Sequence, residues 1–460
     1  MTASLGTTSL RTLTLALDPA TLAELGVSGP AHLLGAASTD DPMCWLRRGQ
    51  GLLGFGEITT FSARGPERFA DAESWWRELL GEARIEDSVR MPGTGPMAFG
   101  SFAFSKKSTF NSVLIVPALV VGFADGAAWL TQLSIDGTVP TAESALDLFR
   151  ETAAGALSPS ISSPLSSAAS EECSMPSEVS AGTVRSGALT EEQWMQSVSA
   201  GVQAIAGGGL EKVVLARDVV ATFPEPLQRV SILQRLVELY DECWTYGVRG
   251  LVGATPEILI KVEGSMAQAR VLAGTLDRED EPAGSSGFAD AVLGGSAKQR
   301  QEHDFAVRSL TRQLAPFATD LSFPPEPFIL ELPNVWHLAS DVTAELASSN
   351  GHLPSSLALV AALHPTAAVC GTPREDAGEL ILELEKMDRG PYAGPVGWLD
   401  GAGNGEWGIA LRGAVLEDAH NVRLYAGAGI VQASDPAAEL AETWAKLRPM
   451  LQALGLPNHP

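Results

Sequence analysis

Positive charge is scarce in this sequence. Its 460 residues carry 31 Lys and Arg against 55 Asp and Glu, a formal net charge of −24. Nucleic acid is excluded as an expected partner, because binding a phosphate backbone takes clustered Lys and Arg. The same imbalance repels an anionic metabolite, so an anionic substrate requires a locally positive pocket or a metal ion. Cysteine is scarce as well: Cys44, Cys173, Cys243 and Cys370 stand far apart, with no CxxC pair. Such spacing neither staples a small fold nor builds a zinc site, and it fits a reducing cytoplasm. No apolar run reaches the ~18 residues needed to span a bilayer. The opening MTASLGTTSLRTLTLAL lacks the basic stretch and long apolar core of a secretory signal. The expectation is a cytoplasmic protein with no membrane partner.

What is present suits a globular α/β chain of the α+β type: 45% hydrophobic residues and 46 glycines. Residues 1–156 read as short strands and helices, the N-terminal part of the fold. Residues 157–180 are rich in Ser, Pro and Ala without periodicity, and read as an exposed linker or loop. Residues 181–460 are more sharply patterned. Glu191–Ala206 is a helix ended by a glycine run, Leu210–Ala221 a strand, and Lys298–Leu314 a helix. Ser112–Gly122 reads as one continuous apolar strand, Gly250–Val262 and Ser265–Leu276 as a strand pair, and Gly405–Glu417 and Asn421–Ala426 as further strands. Consecutive hairpins with helices at intervals predict antiparallel sheets, not a doubly wound parallel one.

The chain is organised around RLYAGAGIVQASDPAAELAETWAKL, residues 423–447. Leu424 and Tyr425 lead into Gly427-Ala428-Gly429, read as a glycine turn whose backbone amides can approach an anion. Asp435 and Pro436 mark a helix start as N-cap and first helical residue. In that helix Leu440, Trp444, Leu447 and Leu451 form an apolar stripe, and Glu439, Glu442 and Lys446 share another face. Those three are either a solvated face with a Glu442–Lys446 pair or part of a metal and carboxylate site. Lys212, in the apolar strand LEKVVLARD, is either an edge lysine that discourages aggregation or a base whose charge burial disfavours. Glu257 in GATPE, a glutamate after proline, reads on its own as a solvated turn residue. Glu302 in KQRQEHDF lies at the edge of a stripe made by His303, Val307, Leu310 and Leu314. His337 in NVWHLAS is a core histidine or a site residue.

Taken together, GAGIV with the E-x-x-E-T-x-x-K helix, KVVLAR, GATPE, LAGT, the K-x-x-x-E-H helix, the H-L histidine, DRGPYAG and ALRGA resemble the chorismate-utilising enzymes. That family includes isochorismate, salicylate, anthranilate and aminodeoxychorismate synthases. At least six separated motifs occur in the family's order across roughly residues 195–455. Gln299 departs from the pattern, standing where the family usually has an acid.

The resemblance implies an anthranilate synthase component I-like fold: two large antiparallel sheets packed face to face, with helices outside. It is closest to the isochorismate synthases, which convert chorismate reversibly to isochorismate with Mg2+. On that reading Lys212 activates water for attack at C2 and Glu257 protonates the hydroxyl leaving C4. Glu302, Glu439 and Glu442 hold the metal. Gly274, Thr275, His337, Ala368, Tyr392, Arg412, Gly427, Ala428, Gly429 and Lys446 contact the substrate. Arg412 and Tyr392 take the enolpyruvyl carboxylate, for which the arginine fork suits two parallel hydrogen bonds. A salicylate synthase, which adds pyruvate elimination, is the nearest alternative; salicylate synthases resemble one another in having threonine where Ala368 stands. An aminating synthase is disfavoured by Lys212 and by Ala273, where the aminodeoxychorismate branch has lysine. A chorismate-binding protein without activity would need a broken acid–base pair. A monomer with no amidotransferase subunit is expected.

Overall fold

The computed structural model describes residues 9–36, 41–154, 182–278, 287–331 and 335–458. The Ser/Pro-rich segment 157–180, and Cys173 with it, lies outside them, as do the side chains of Ala273, Thr275 and Glu302. Among the described residues the strands form one 13-stranded and one 10-stranded sheet. Pairing is antiparallel throughout except between Arg11–Leu17 and Arg84–Asp87, which run parallel. Strands from the N-terminal part enter both sheets beside strands from the C-terminal part.

Side-chain alternation sorts each strand of the larger sheet between two cores. Leu52, Val120, Leu251 and Tyr425 face inward, where they join Phe99, Leu114, Ile260 and Trp407 of the smaller sheet. Their neighbours Leu53, Val121, Val252 and Leu424 face outward, against Leu233, Phe149 and Leu447 of the covering helices. The predicted helix lies at Pro436–Ala453, with the Asp435 carboxylate accepting from the amides of Ala437 and Ala438 and Pro436 in the first turn. Its Leu447 and Leu451 are buried in the outer core, as the apolar stripe requires.

Three expected strands are each two strands in different sheets. Ser112–Gly122 divides at Pro117 into Ser112–Val116 of the smaller sheet and Leu119–Ala124 of the larger. Gly250–Val262 divides at Pro256-Glu257 into Leu251–Thr255 of the larger and Ile258–Glu263 of the smaller. Gly405–Glu417 divides at residues 410–412 into Gly405–Ile409 and Gly413–Leu416, with Arg412 at φ +50°. Proline removes a ladder donor and locks φ, so the chain bends and changes sheet there. A left-handed residue at 412 does the same. The last two crossings run side by side, with the Ile409 amide donating to the Glu257 carbonyl at 3.1 Å and the Ala254 amide to the Arg412 carbonyl at 3.2 Å.

The glycine turn expected at 427–429 is not a turn. These residues belong to the strand Asn421–Ile430, in register with Val214, Leu215 and Ala216 of the strand Lys212–Thr222. Alternation there points Ala428 into the core, not into the site.

Candidate functional site

A cavity opens where the two sheet crossings meet the strands Lys212–Thr222 and Asn421–Ile430 and the helix Pro436–Ala453. Lys212 and Glu257 both line it and are 3% and 5% exposed. That burial removes the exposed edge-lysine reading for Lys212 and the solvated-turn reading for Glu257. Burial pushes the Glu257 carboxyl up to about 8, against the pull of the Lys212 and Lys446 charges. A carboxyl so placed is protonated at neutral pH and can donate a proton.

Gly274, His337, Ala368, Tyr392 and Arg412 line the same cavity, as do Gly427, Gly429, Glu439, Glu442 and Lys446. The first five come from separate stretches, Gly427 and Gly429 from the strand Asn421–Ile430, and the last three from the helix Pro436–Ala453. Gly274 lies at a bulge in the strand Met266–Asp277, where the register with Val335–Leu346 shifts between Leu272 and Thr275. Its carbonyl meets Nδ1 of His337 at 3.3 Å, and Nε2 of His337 meets the Arg412 guanidinium at 3.3 Å. Burial, then the charges of Arg412 and Lys446, hold this imidazole well below its ordinary pKa. It is therefore neutral, donating from Nδ1 to the Gly274 carbonyl and accepting at Nε2 from Arg412. His337 thus orients Arg412.

Tyr392 stacks on Tyr425 with ring centroids 5.1 Å apart and planes 9° off parallel. Burial raises its phenol to about 12, so it stays a neutral donor. Gly427 is needed where these parts converge: a Cβ there would lie 3.2 Å from the Leu215 carbonyl oxygen and 3.3 Å from the Tyr392 hydroxyl. Lys446 donates to the Gly427 carbonyl at 2.9 Å and pairs with Glu442 one turn earlier. The acid-laden helix face is thus a cavity wall, and Glu439 in it is buried.

The sequence reading missed Arg389 and Tyr425, which also line the cavity. Arg389 forms a buried pair with Glu385 and donates to the carbonyls of Val214 at 2.7 Å and Val369 at 2.8 Å. Glu385 in turn accepts from the Ala216 amide at 2.7 Å. The pair therefore ties the Lys212 strand to the wall carrying Ala368. Its i, i+4 spacing was visible in ELEKMDR, but it reads as an ordinary surface pair.

The sequence of residues 32–455 matches the family model of the chorismate binding enzymes. The chain belongs to that family. Isochorismate synthase DhbC of Bacillus subtilis is 39% identical over 276 residues, 58% of this chain and 68% of the relative. The salicylate biosynthesis isochorismate synthase of Pseudomonas aeruginosa is 31% identical over 447 residues, 94% of this chain and 89% of that one. Among solved structures, the putative 2,3-dihydroxybenzoate-specific isochorismate synthase DhbC of Bacillus anthracis superposes with TM-score 0.71 at 27% identity, covering 93% of this chain and all of that one. Anthranilate synthase component I of Streptococcus pneumoniae superposes with TM-score 0.65 at 17% identity over 96% of this chain and 92% of that one, and so shares the fold. The α+β architecture of large antiparallel sheets with outer helices is that of the family.

Magnesium calls for carboxylate oxygens and room for its own waters. Glu439 and Glu442, one turn apart on a wall of the cavity, supply such oxygens. Among the described residues no third acidic, His or Cys side chain joins them in a metal-sized cluster.

Proposed function

We propose that this protein is an isochorismate synthase, an isomerase that interconverts chorismate and isochorismate. The single observation that carries the reading is the buried pair Lys212 and Glu257 in one cavity, with the carboxyl raised to about 8. Replacing one ring hydroxyl by another requires a base for the incoming water and an acid for the leaving hydroxyl. Lys212 takes a proton from water as its oxygen bonds to C2. The ring double bonds shift, the C4–O bond breaks, and Glu257 gives its proton to the departing hydroxyl. Water is consumed and released in equal amounts, and in the reverse direction the two residues exchange roles. Arg412, oriented by His337, and Tyr392 hold the enolpyruvyl carboxylate, with Lys446 adding positive charge.

Glu439 and Glu442, with Glu302 as the family pattern implies, are the carboxylates that hold Mg2+. Held there, the ion would supply positive charge next to an anionic substrate and offset the charge of a strongly acidic chain. Ala368 offers no hydroxyl to orient the pyruvyl group, which favours isochorismate over salicylate as product. Lys212 and Ala273 disfavour amination, so the enzyme works without an amidotransferase subunit, as a cytoplasmic monomer. Among the described residues no helix is long and apolar enough to cross a membrane.

The test is direct. Purified protein, chorismate and magnesium are incubated and the products separated chromatographically. Isochorismate is expected as the main product, with little salicylate. Stoichiometric salicylate and pyruvate at neutral pH would replace this reading by the lyase one.

A further inference from the structure

Lys446 stands one helical turn after Glu442 in Pro436–Ala453, and its ammonium is held twice. It donates to the Glu442 carboxylate and, at 2.9 Å, to the carbonyl of Gly427 in the strand Asn421–Ile430. Both side chains line the cavity, Lys446 18% and Glu442 31% exposed, so an ion entering it reaches them. The ammonium is aimed inward, since its charge acts on the Glu257 carboxyl and on the His337 imidazole. Glu442 in turn acts on Arg412 across the same space. The pair therefore engages a carboxylate that the magnesium reading assigns to the metal.

An ammonium and a divalent cation on one carboxylate repel each other. A partly exposed i, i+4 pair is also weak enough to be exchanged for a hard cation. We infer that Lys446 and the divalent cation compete for Glu442. Lys446 is an internal counter-ion that yields this carboxylate to the metal and then turns its charge to a carboxylate of the substrate. Its bond to the Gly427 carbonyl keeps the ammonium at the cavity wall when Glu442 lets go. Metal and substrate binding are thereby coupled, and the coupling acts equally in both directions. The inference rests on the magnesium reading of Glu439 and Glu442.

The experiment is a calorimetric titration of the full chain with Mg2+ alone, which needs no turnover. Lys446→Met removes the competing charge, Lys446→Arg keeps it, and thermal melts verify folding of both. Lys446→Met is expected to bind Mg2+ about tenfold more tightly than the wild type, and Lys446→Arg to bind it as the wild type does. Unchanged or weaker binding in Lys446→Met overturns the inference, and so does equal tightening in both variants. The titration is then repeated with chorismate in a Glu257→Gln background, where turnover is slow. Chorismate is expected to tighten Mg2+ binding by a smaller factor in Lys446→Met than with Lys446 in place; equal factors overturn the coupling. Mg2+ binding that survives Glu442→Gln removes the magnesium reading and this inference with it. Binding lost in Glu442→Gln but unchanged in Lys446→Met leaves the magnesium reading standing and overturns the inference alone.

Discussion

Glu257 shows how one residue's surroundings set both its chemistry and the pH response. Its pKa in the folded chain, about 8, lies above its ordinary 4.5 because burial disfavours the charge. Between those values the folded chain holds the proton more tightly than the unfolded chain, so stability declines as pH rises through that window. Glu257→Gln removes the decline. Its melting temperature is expected to gain on the wild type steadily from about pH 5 to about pH 8 and to level off above that, and a parallel course of the two curves would contradict the burial argument. Activity gives the second readout. Glu257→Gln or Lys212→Gln is expected to lower kcat by about 10²–10⁴ in both directions, with much smaller effects on KM. Lys212→Gln fills similar volume but takes no proton, so near wild-type turnover in it would make Lys212 a structural residue.

Among the elements, the strand Lys212–Thr222 depends most on a contact that no strand pattern reveals. The Glu385–Arg389 pair, with side chains 1% and 3% exposed, anchors it through the Ala216 amide and the Val214 carbonyl. Breaking a buried pair on one side strands a charge. Arg389→Met is therefore expected to cost about 3–5 kcal/mol in chemical unfolding. The double change Glu385→Gln with Arg389→Met is expected to recover part of that loss, since no buried charge remains. A single variant as stable as the wild type would show that the pair is not an anchor. The sheet-crossing segments are the other decisive elements. They place Glu257 and Arg412 at neighbouring bends, bonded through the backbone to each other.

Over the whole molecule, a net charge of −24 opposes a dianionic substrate, and the cavity answers with Lys212, Arg389, Arg412 and Lys446 on its walls. Arg389 and Lys446 are already matched by Glu385 and Glu442, so the walls alone offer less positive charge than that count suggests. The divalent cation proposed above would make up the difference. Glu302→Gln or Glu442→Gln is expected to abolish magnesium-dependent turnover while the thermal melt stays near wild type. Full activity in excess EDTA would exclude the metal.

The legible part of the protein was what is local or periodic. Helix 191–206 is legible to the residue, because a capping box opens it and glycines close it. The cap at Asp435, the shared face of Glu439, Glu442 and Lys446, and the separate site motifs were all present in short stretches. Tertiary structure decided the rest. A strand pattern has period two whichever sheet it joins, so residues 112–122, 250–262 and 405–417 could not announce their change of sheet. Glycines at 427 and 429 read as a turn, whereas the reason for Gly427, a close approach of the Leu215 carbonyl and the Tyr392 hydroxyl, lies in other parts of the chain. Nor could ELEKMDR declare itself buried. The sequence by itself determined which side chains and which alternations exist, since those follow from residue type and spacing. Burial, and with it the raised carboxyl of Glu257 and the neutral ring of His337, came only from segments distant in sequence closing over one cavity.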